Sequence, residues 1–350
     1  MEQERKIRVA ITHGDPNGVG YEIILKAFED PTMLELYTPI IFGSPKVAAF
    51  HRKAMGIETQ LTTVSNASDA KDGRVNILAA TDEEIKVEIG QPTAEARAAA
   101  RKALDRALAD QEQGLFDVLV TAPAKANDEL LRKPEALPVL VTDDLCMAFV
   151  TKDVATKDAS ELITKQKIVE KAKTLHTCLK RDMRVSNPRI AVLALNPHTG
   201  EQEPSGELEK EVIAPAIDEL EQLGIQAFGP YTADSFFGNG DYSLFDAVLA
   251  MYYDQGVTPL KALVGDEYSV LITGLPFVCT APSQDAAHQQ AGKGVTNASS
   301  MLRAIYLATN VYRNRINYDL PLKNPLPKLY HEKRDDSEKV RFTVPKDKKQ

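Results

Sequence analysis

Short β-branched apolar runs alternate along the chain with stretches whose apolar positions recur about every 3.6 residues, the two periods that mark strand and helix. Ile7–Thr12 is the first such run. It closes in the glycine-rich turn Gly14-Asp-Pro-Asn-Gly-Val-Gly20, and Tyr21–Phe28 then spaces its apolar residues as a helix does. Thr38–Phe42 with Lys46–Met55, and the Ala-rich Ala94–Gln111 with Asp117–Thr121, repeat the pairing. Thr93 is placed to cap the long helix with its hydroxyl, and Gly114 to stop it. Downstream the pattern predicts one helix over Asp158–Lys180, a buried strand over Arg189–Leu195, and a long helix over Glu207–Leu223 ending at Gly224. Strands follow at Ile225–Gly229, Ala247–Tyr252 and Val270–Thr273, then a closing helix over Asn297–Tyr312. Alternation of this kind predicts an α/β fold on a mixed, mostly parallel sheet covered by helices.

Composition narrows the class. At 350 residues, 43% hydrophobic and 26% charged, the chain can bury a real core. Its length predicts two lobes or one large α/β unit, placed here at residues 1–323. Residues 324–350 mix Lys, Asp, Glu and Pro with few apolar positions and predict a frayed, solvated tail. The balance of 42 Lys+Arg against 50 Asp+Glu, net −8, argues against a nucleic-acid or anionic-membrane surface. Cys146, Cys178 and Cys279 are widely spaced, which suggests neither a disulfide framework nor a structural zinc site, and a reducing compartment. With no signal-like apolar stretch at the N-terminus and no window of ~18 apolar residues, a soluble cytoplasmic protein is expected.

Several residues can carry chemistry, each beside a plainer reading. Gly14–Gly20 lies where a strand feeds a helix and can meet an anion, or be a tight turn. Asn196-Pro-His-Thr-Gly200 ends a buried strand with polar residues, where open α/β sheets bind ligands; a lone His198 can equally be structural. Asp234 and Asp254 both follow strands and suit a metal or a general base. Lys261, seven residues on, suits a phosphate or a hydroxyl, whereas each charge alone is as readily a solvated loop residue. Gly292, Lys293 and Gly294 make a short loop that can pass close to a nucleotide, or simply lead into the last helix.

Taken together, Ile11-Thr-His-Gly-Asp-Pro-Asn-Gly-Val-Gly20, Val192-Leu-Ala-Leu-Asn-Pro-His-Thr-Gly200, Leu249-Ala-Met-Tyr-Tyr-Asp-Gln-Gly256, Gly274-Leu-Pro-Phe277 and Ala291-Gly-Lys-Gly294 resemble the 4-hydroxythreonine-4-phosphate dehydrogenase family of pyridoxal-phosphate biosynthesis. The likeness spans roughly residues 6–316. It implies a two-lobed α/β/α fold like that of isocitrate and isopropylmalate dehydrogenases, a homodimer, and a site in the inter-lobe cleft. The implied reaction is NAD-dependent oxidation of a secondary alcohol on a small phosphorylated amino acid, followed by decarboxylation. A divalent metal acts there as Lewis acid on the oxygen being oxidised.

Carried over position by position, the resemblance makes Lys261 the substrate lysine and Asp234 and Asp254 active-site acids. Of three metal histidines only His198 remains; Asp153 and Tyr253 stand where the other two are expected. A Gly-His-Thr-Glu motif expected after Thr121-Ala-Pro123 is absent, and a segment of roughly fifteen to twenty residues is missing between Ala124 and Asp144. Val270 replaces an asparagine, Cys279 an arginine, and Gln284-Asp285 a His-Gly pair. A phenol is a poor metal ligand near neutral pH, and no other side chain grips phosphate or carboxylate as a guanidinium does. The expectation is therefore a family member impaired or inactive in catalysis. One alternative is a dehydrogenase of another hydroxy acid using Asp153, Asp234 and Asp254 as an Mg or Mn site; the other is a non-catalytic binding or regulatory paralogue.

Overall fold

A computed structural model describes residues 5–81, 84–197 and 206–325. Its strands are β1 (Ile7–Thr12), β2 (Tyr37–Gly43), β3 (Leu61–Val64), β4 (Val75–Ala79), β5 (Val118–Thr121), β6 (Leu137–Val141), β7 (Cys146–Thr151), β8 (Arg189–Leu193), β9 (Gln226–Tyr231), β10 (Ala247–Tyr252), β11 (Ser269–Thr273) and β12 (Val278–Pro282). The helices are α1 (Gly20–Ala27), α2 (Met33–Leu36), α3 (Pro45–Met55), α4 (Ala94–Glu112), α5 (Asp128–Leu131), α6 (Thr156–Leu162), α7 (Lys165–Arg181), α8 (Ala214–Gln222), α9 (Ala233–Gly238), α10 (Tyr253–Val264) and α11 (Ser299–Lys323). The strands join in one sheet of order β3-β4-β2-β1-β5-β12-β11-β6-β7-β10-β8-β9. Pairing is parallel from β3 to β12 and from β7 to β9, and antiparallel only around β11 and β6. The mixed, mostly parallel α/β sheet is the one the alternation predicts.

Strand composition follows position. β2 and most of β10 are buried throughout, as parallel strands covered on both faces must be. In β11, Ser269, Leu271 and Thr273 alternate with Val270 and Ile272, so one strand serves two different faces. On one face the apolar core is continuous: α1, α7, α8 and α11 bury residues such as Ile24, Ala172, Leu220 and Ile305 against both halves of the sheet. The opposite face holds two separate cores. One gathers Phe42, Leu104, Leu119 and Cys279 under α4, the other Met147, Leu193, Phe236 and Val248 under α9 and α10. Between them the middle strands carry no helix.

Two predicted helices change form. The span Asp158–Lys180 breaks into α6 and α7 at Ile163-Thr164, where the Thr164 hydroxyl accepts the Lys167 N–H and starts a new helix. The span Glu207–Leu223 opens with a π-turn at Glu209–Ile213 before α8. Pro215, with no N–H and a ring that would strike the carbonyl four residues back, accounts for the wider turn. Helix α11 runs on to Lys323 instead of ending near Tyr312. Its last turns are held by Arg181 to Asp319, and by Arg315 clasping Asp182 at 2.7 and 2.9 Å. Of the predicted tail, residues 326–350 lie outside the described residues.

Asp182 is the junction of that end. Besides Arg315 it accepts the Thr273 hydroxyl at 3.2 Å, so α7, α11 and β11 meet on one buried carboxylate. Replacing Arg315 by leucine strands this charge, and we expect a loss of about 3–5 kcal/mol in urea unfolding; a loss under about 1 kcal/mol would show that the pair does not anchor α11.

Candidate active site

The uncovered middle of the sheet forms the floor of a cleft of about 880 Å³. Val270 and Ile272 of β11, Pro138 and Leu140 of β6, and Phe149 of β7 supply that floor. Cross-strand register puts Val270 opposite Leu140 and Ile272 opposite Pro138, so these side chains project from the same face. The walls are polar: Lys125 and Asn127 follow β5, Lys152 follows β7, and Gln284, Asp285 and His288 lie on the loop after β12. The short connection between β5 and β6 is thus part of the wall. Val270, at the expected asparagine, gives the floor a methyl surface in place of an amide. Cys279, at the expected arginine, is fully buried in the core away from the cleft, and burial pushes its thiol up to about 12.

The turn Gly14–Gly20 proves to be a packing joint. The N–H groups of Asp15 and Val19 go to the carbonyls of Pro123 and Ala286, that of Gly18 to Asp15, and that of Asn17 to the Asp15 carboxylate. These four N–H groups are spent within the fold. Asn17 is buried and takes the Glu88 N–H while donating to Gln91 and Thr93. A β-carbon on Gly18 would lie 2.5 Å from the Ala286 carbonyl, so only glycine lets this turn approach the loop after β12. Behind the turn His13, Tyr21 and His51 stack with 5.2 Å between successive ring centroids. The Tyr21 hydroxyl accepts the Ser44 N–H at 2.8 Å, and His51 Nε2 lies 2.8 Å from the Pro16 carbonyl.

The strand-end candidates fall on the neighbouring ends of β7, β10, β8 and β9. His198 lies outside the described residues, but its approach is visible: buried Glu209, in the π-turn, accepts the backbone N–H groups of Leu195 and Asn196 at 2.9 and 2.8 Å. Gln255 accepts the Met251 N–H and donates to the Ala194 carbonyl at 2.6 Å, tying the end of β10 to that of β8. Gly256 lets α10 close onto β7, since a β-carbon there would sit 2.8 Å from Met147 and Phe149. The Tyr253 ring packs on Phe149 at 5.1 Å and lines the cleft.

Asp153, Tyr253 and Asp254 share a smaller cavity of about 150 Å³. Asp153 adopts the left-handed region at φ +58°, with a side chain 71% exposed and 3.8 Å from Lys152. Lys261, two turns along α10, lies 3.6 Å from Asp266 and over the Tyr268 ring. Asp234 is exposed at the start of α9 and lines neither cavity. Gly292, Lys293 and Gly294 come just after the last cleft residue, Gln290. Their loop is held by Lys26, which donates to the Gly294 and Thr296 carbonyls, and by Glu22, which accepts the Thr296 N–H. Sequence reasoning missed Glu209, Gln255, Lys125 and His288; only Gln255 carried a signal, as a member of the Tyr-Asp-Gln-Gly run.

A sequence profile described as pyridoxal phosphate biosynthetic protein PdxA matches residues 35–308. The chain belongs to this family. A curated 4-hydroxythreonine-4-phosphate dehydrogenase of Bacteroides thetaiotaomicron is 45% identical to it, covering 99% of this chain and 100% of that protein. Their alignment runs over 363 positions, more than the 350 residues present here, so the relative carries residues with no counterpart in this chain. A 4-hydroxythreonine-4-phosphate dehydrogenase of Sulfurihydrogenibium sp. is 30% identical over 88% of the chain and 99% of its own length. Among solved structures, a putative 4-hydroxythreonine-4-phosphate dehydrogenase from Salmonella typhimurium matches with a TM-score of 0.73 at 27% identity, covering 88% of this chain and 100% of that one. The enzyme of that name from Klebsiella pneumoniae gives 0.72 at 25%, covering 89% and 99%.

The described part of this PdxA-family chain does not suit the metal that the resemblance implies. Burial, reinforced by Tyr268 and by the Asp153 and Asp254 carboxylates and opposed by Lys261, pushes the Tyr253 phenol up, so it stays a neutral, weak donor. Among the described residues no three His, Cys, Asp or Glu side chains gather closely enough to hold a metal ion, and Asp153, Asp234 and Asp254 therefore form no common acidic site. The volume of the cleft falls within the roughly 300–1,000 Å³ of small-molecule sites.

Burial holds His13 down to about 4, with His51 adding to the effect and the Ala99 and Gly14 backbone opposing it; burial also lowers His51. A histidine depressed on folding leaves the native state with fewer protons than the unfolded chain. Its stabilising effect is complete above pH ~6.5 and drains as the pH falls toward about 4, by up to roughly 1.4 kcal/mol per pH unit. His13→Phe, which keeps the stack, should flatten urea-unfolding stability across that window; an unchanged pH profile would count against a buried neutral His13.

Proposed function

We propose that this chain is a PdxA-family protein whose cleft binds a nicotinamide dinucleotide and a small phosphorylated amino acid, while the metal-assisted oxidation is impaired or lost. Residues 1–323 act in this reading as one two-lobed unit, in a cytoplasmic homodimer. The observation that carries it is Tyr253. At a position where the family resemblance expects an imidazole, a protonated phenol packs its ring on Phe149 and turns the metal side of the cleft into a neutral aromatic wall.

What remains of the chain's own chemistry is binding and positioning. Lys261 and Lys152 supply cations near Tyr253, the floor of Val270, Ile272 and Leu140 excludes water from a ligand's apolar face, and Glu209 with Gln255 holds the strand ends still. A bound nicotinamide dinucleotide would supply the hydride acceptor. Nothing described takes the Lewis-acid role that favours an alkoxide.

The small cavity favours a second reading in one respect. Asp153, Asp254 and Thr156 bring to it oxygen donors of the kind that suits Mg or Mn rather than zinc, although Lys152 lines it too and lies 3.8 Å from Asp153.

Calorimetry with NAD⁺, alone and with zinc, magnesium or manganese, together with NADH formation from 4-phosphohydroxy-L-threonine, tests both. We expect saturable NAD⁺ binding and little NADH. The double variant Asp153→His, Tyr253→His should restore the two missing imidazoles that the family resemblance expects and raise zinc affinity by at least the roughly 10–100-fold that even outer-shell partners are worth, with a matching rise in NADH formation. Histidine also tolerates the left-handed backbone at position 153. Turnover by the unaltered chain near ~10 s⁻¹ with zinc would overturn the first reading, and manganese-dependent turnover would select the second.

A further inference from the structure

The turn Gly14–Gly20 spends the N–H groups of Asp15, Asn17, Gly18 and Val19 internally, and side chains supply polar groups to the neighbouring wall of the cleft. His288 lines the cleft, and its Nε2 lies 3.1 Å from Oδ2 of Asp15. The other Asp15 oxygen accepts the Asn17 N–H at 2.9 Å. The Asp15 side chain is 7% exposed and that of His288 is 25%, so a fixed inner carboxylate carries an imidazole that reaches outward. A carboxylate only accepts, which places the ring proton on Nε2. Nδ1 makes no hydrogen bond to a described residue and is the nitrogen available to a ligand.

The loop is shaped to deliver this ring. Ala286 accepts the Val19 N–H at 3.1 Å, and Ala287, immediately before His288, holds φ +40°, with its N–H bonded to the Asp285 carboxylate at 2.8 Å. A non-glycine residue in that region costs energy that its surroundings must impose. Lys125 joins His288 in the cleft lining. It lines the same cleft two residues past Pro123, whose carbonyl accepts the Asp15 N–H at 2.9 Å, and no described carboxylate pairs with it.

We propose that His288, positioned by Asp15, forms with Lys125 a phosphate-binding pair on the cleft wall. This rests on reading the cleft as a ligand site and names which of its residues take the phosphate. In the bound state the imidazole donates Nε2–H to Asp15 and Nδ1–H to a phosphate oxygen, while Lys125 supplies a point charge. The phosphate can be that of the dinucleotide or of a phosphorylated substrate, the same chemistry from two sources.

Calorimetric titration of the full chain with NAD⁺, O-phospho-L-serine and inorganic phosphate separates them. His288→Ala and Lys125→Ala should each weaken at least one probe about tenfold, the worth of one charge-assisted contact. A loss confined to NAD⁺ assigns the pair to the nucleotide, and one confined to phosphoserine assigns it to the substrate. Long-range proton–nitrogen NMR should find the His288 proton on Nε2, and a mixed tautomer in Asp15→Asn. Should that buried substitution fail to fold, the part-exposed His288→Ala still decides. Unchanged affinities in both alanine variants beside a binding wild type would overturn the pair and leave the cleft reading intact. An unchanged tautomer in a folded Asp15→Asn would overturn the role of Asp15. No binding of any probe to the wild type would overturn both.

Discussion

One sheet covered along the whole of one face and only at the two ends of the other is the constraint from which the rest of this molecule follows. Strands buried on both faces are mostly apolar, as β2 and β10 are; β11, at the middle of the sheet, turns Val270 and Ile272 to the cleft and Ser269, Leu271 and Thr273 to the covered face. The helices α1, α7, α8 and α11 close the continuous face, so the split between the two opposite cores does not divide the fold. The cleft is the price of that split. Its floor is made of the same residues that join the cores, Ile272 to one and Leu140 and Phe149 to the other.

Buried polar groups then set the edges of the cleft where apolar packing cannot. Glu209 holds the end of β8, Gln255 bridges β10 to β8, and Glu22 with Lys26 pins the loop before α11. Each satisfies backbone groups at a point where a strand or helix has run out of ladder partners. The Asp182–Arg315 pair does the same at the far end of α11. These groups give direction to chain ends rather than chemistry.

Where the family resemblance leads one to expect an amide, an imidazole and a guanidinium, this chain has Val270 on the cleft floor, Tyr253 against Phe149, and Cys279 buried in the core away from the cleft. The polar capacity that remains lies on the wall formed by the turn before α1, the short connection after β5 and the loop after β12. There the decisive contact runs between residues 273 apart in the chain, Asp15 and His288.

By itself the sequence determined the local elements and the family. β1 and β10 match their predicted spans, the Thr93 hydroxyl caps α4 at 3.1 Å from the Ala96 N–H, and the runs around Gly14, Asn196 and Asp254 suffice for the family resemblance. Apolar period and capping chemistry are short-range, so they can be read from neighbours in the chain. What only the tertiary structure decided is where long-range partners meet. The break between α6 and α7, the extension of α11 by Arg181 and Arg315, the inward use of the glycine turn and the pairing of His288 with Asp15 all depend on groups brought together from distant segments. A side chain's role is fixed by what lies within hydrogen-bond reach of it, and for these residues that neighbour is supplied by the sheet order rather than by the order of the sequence.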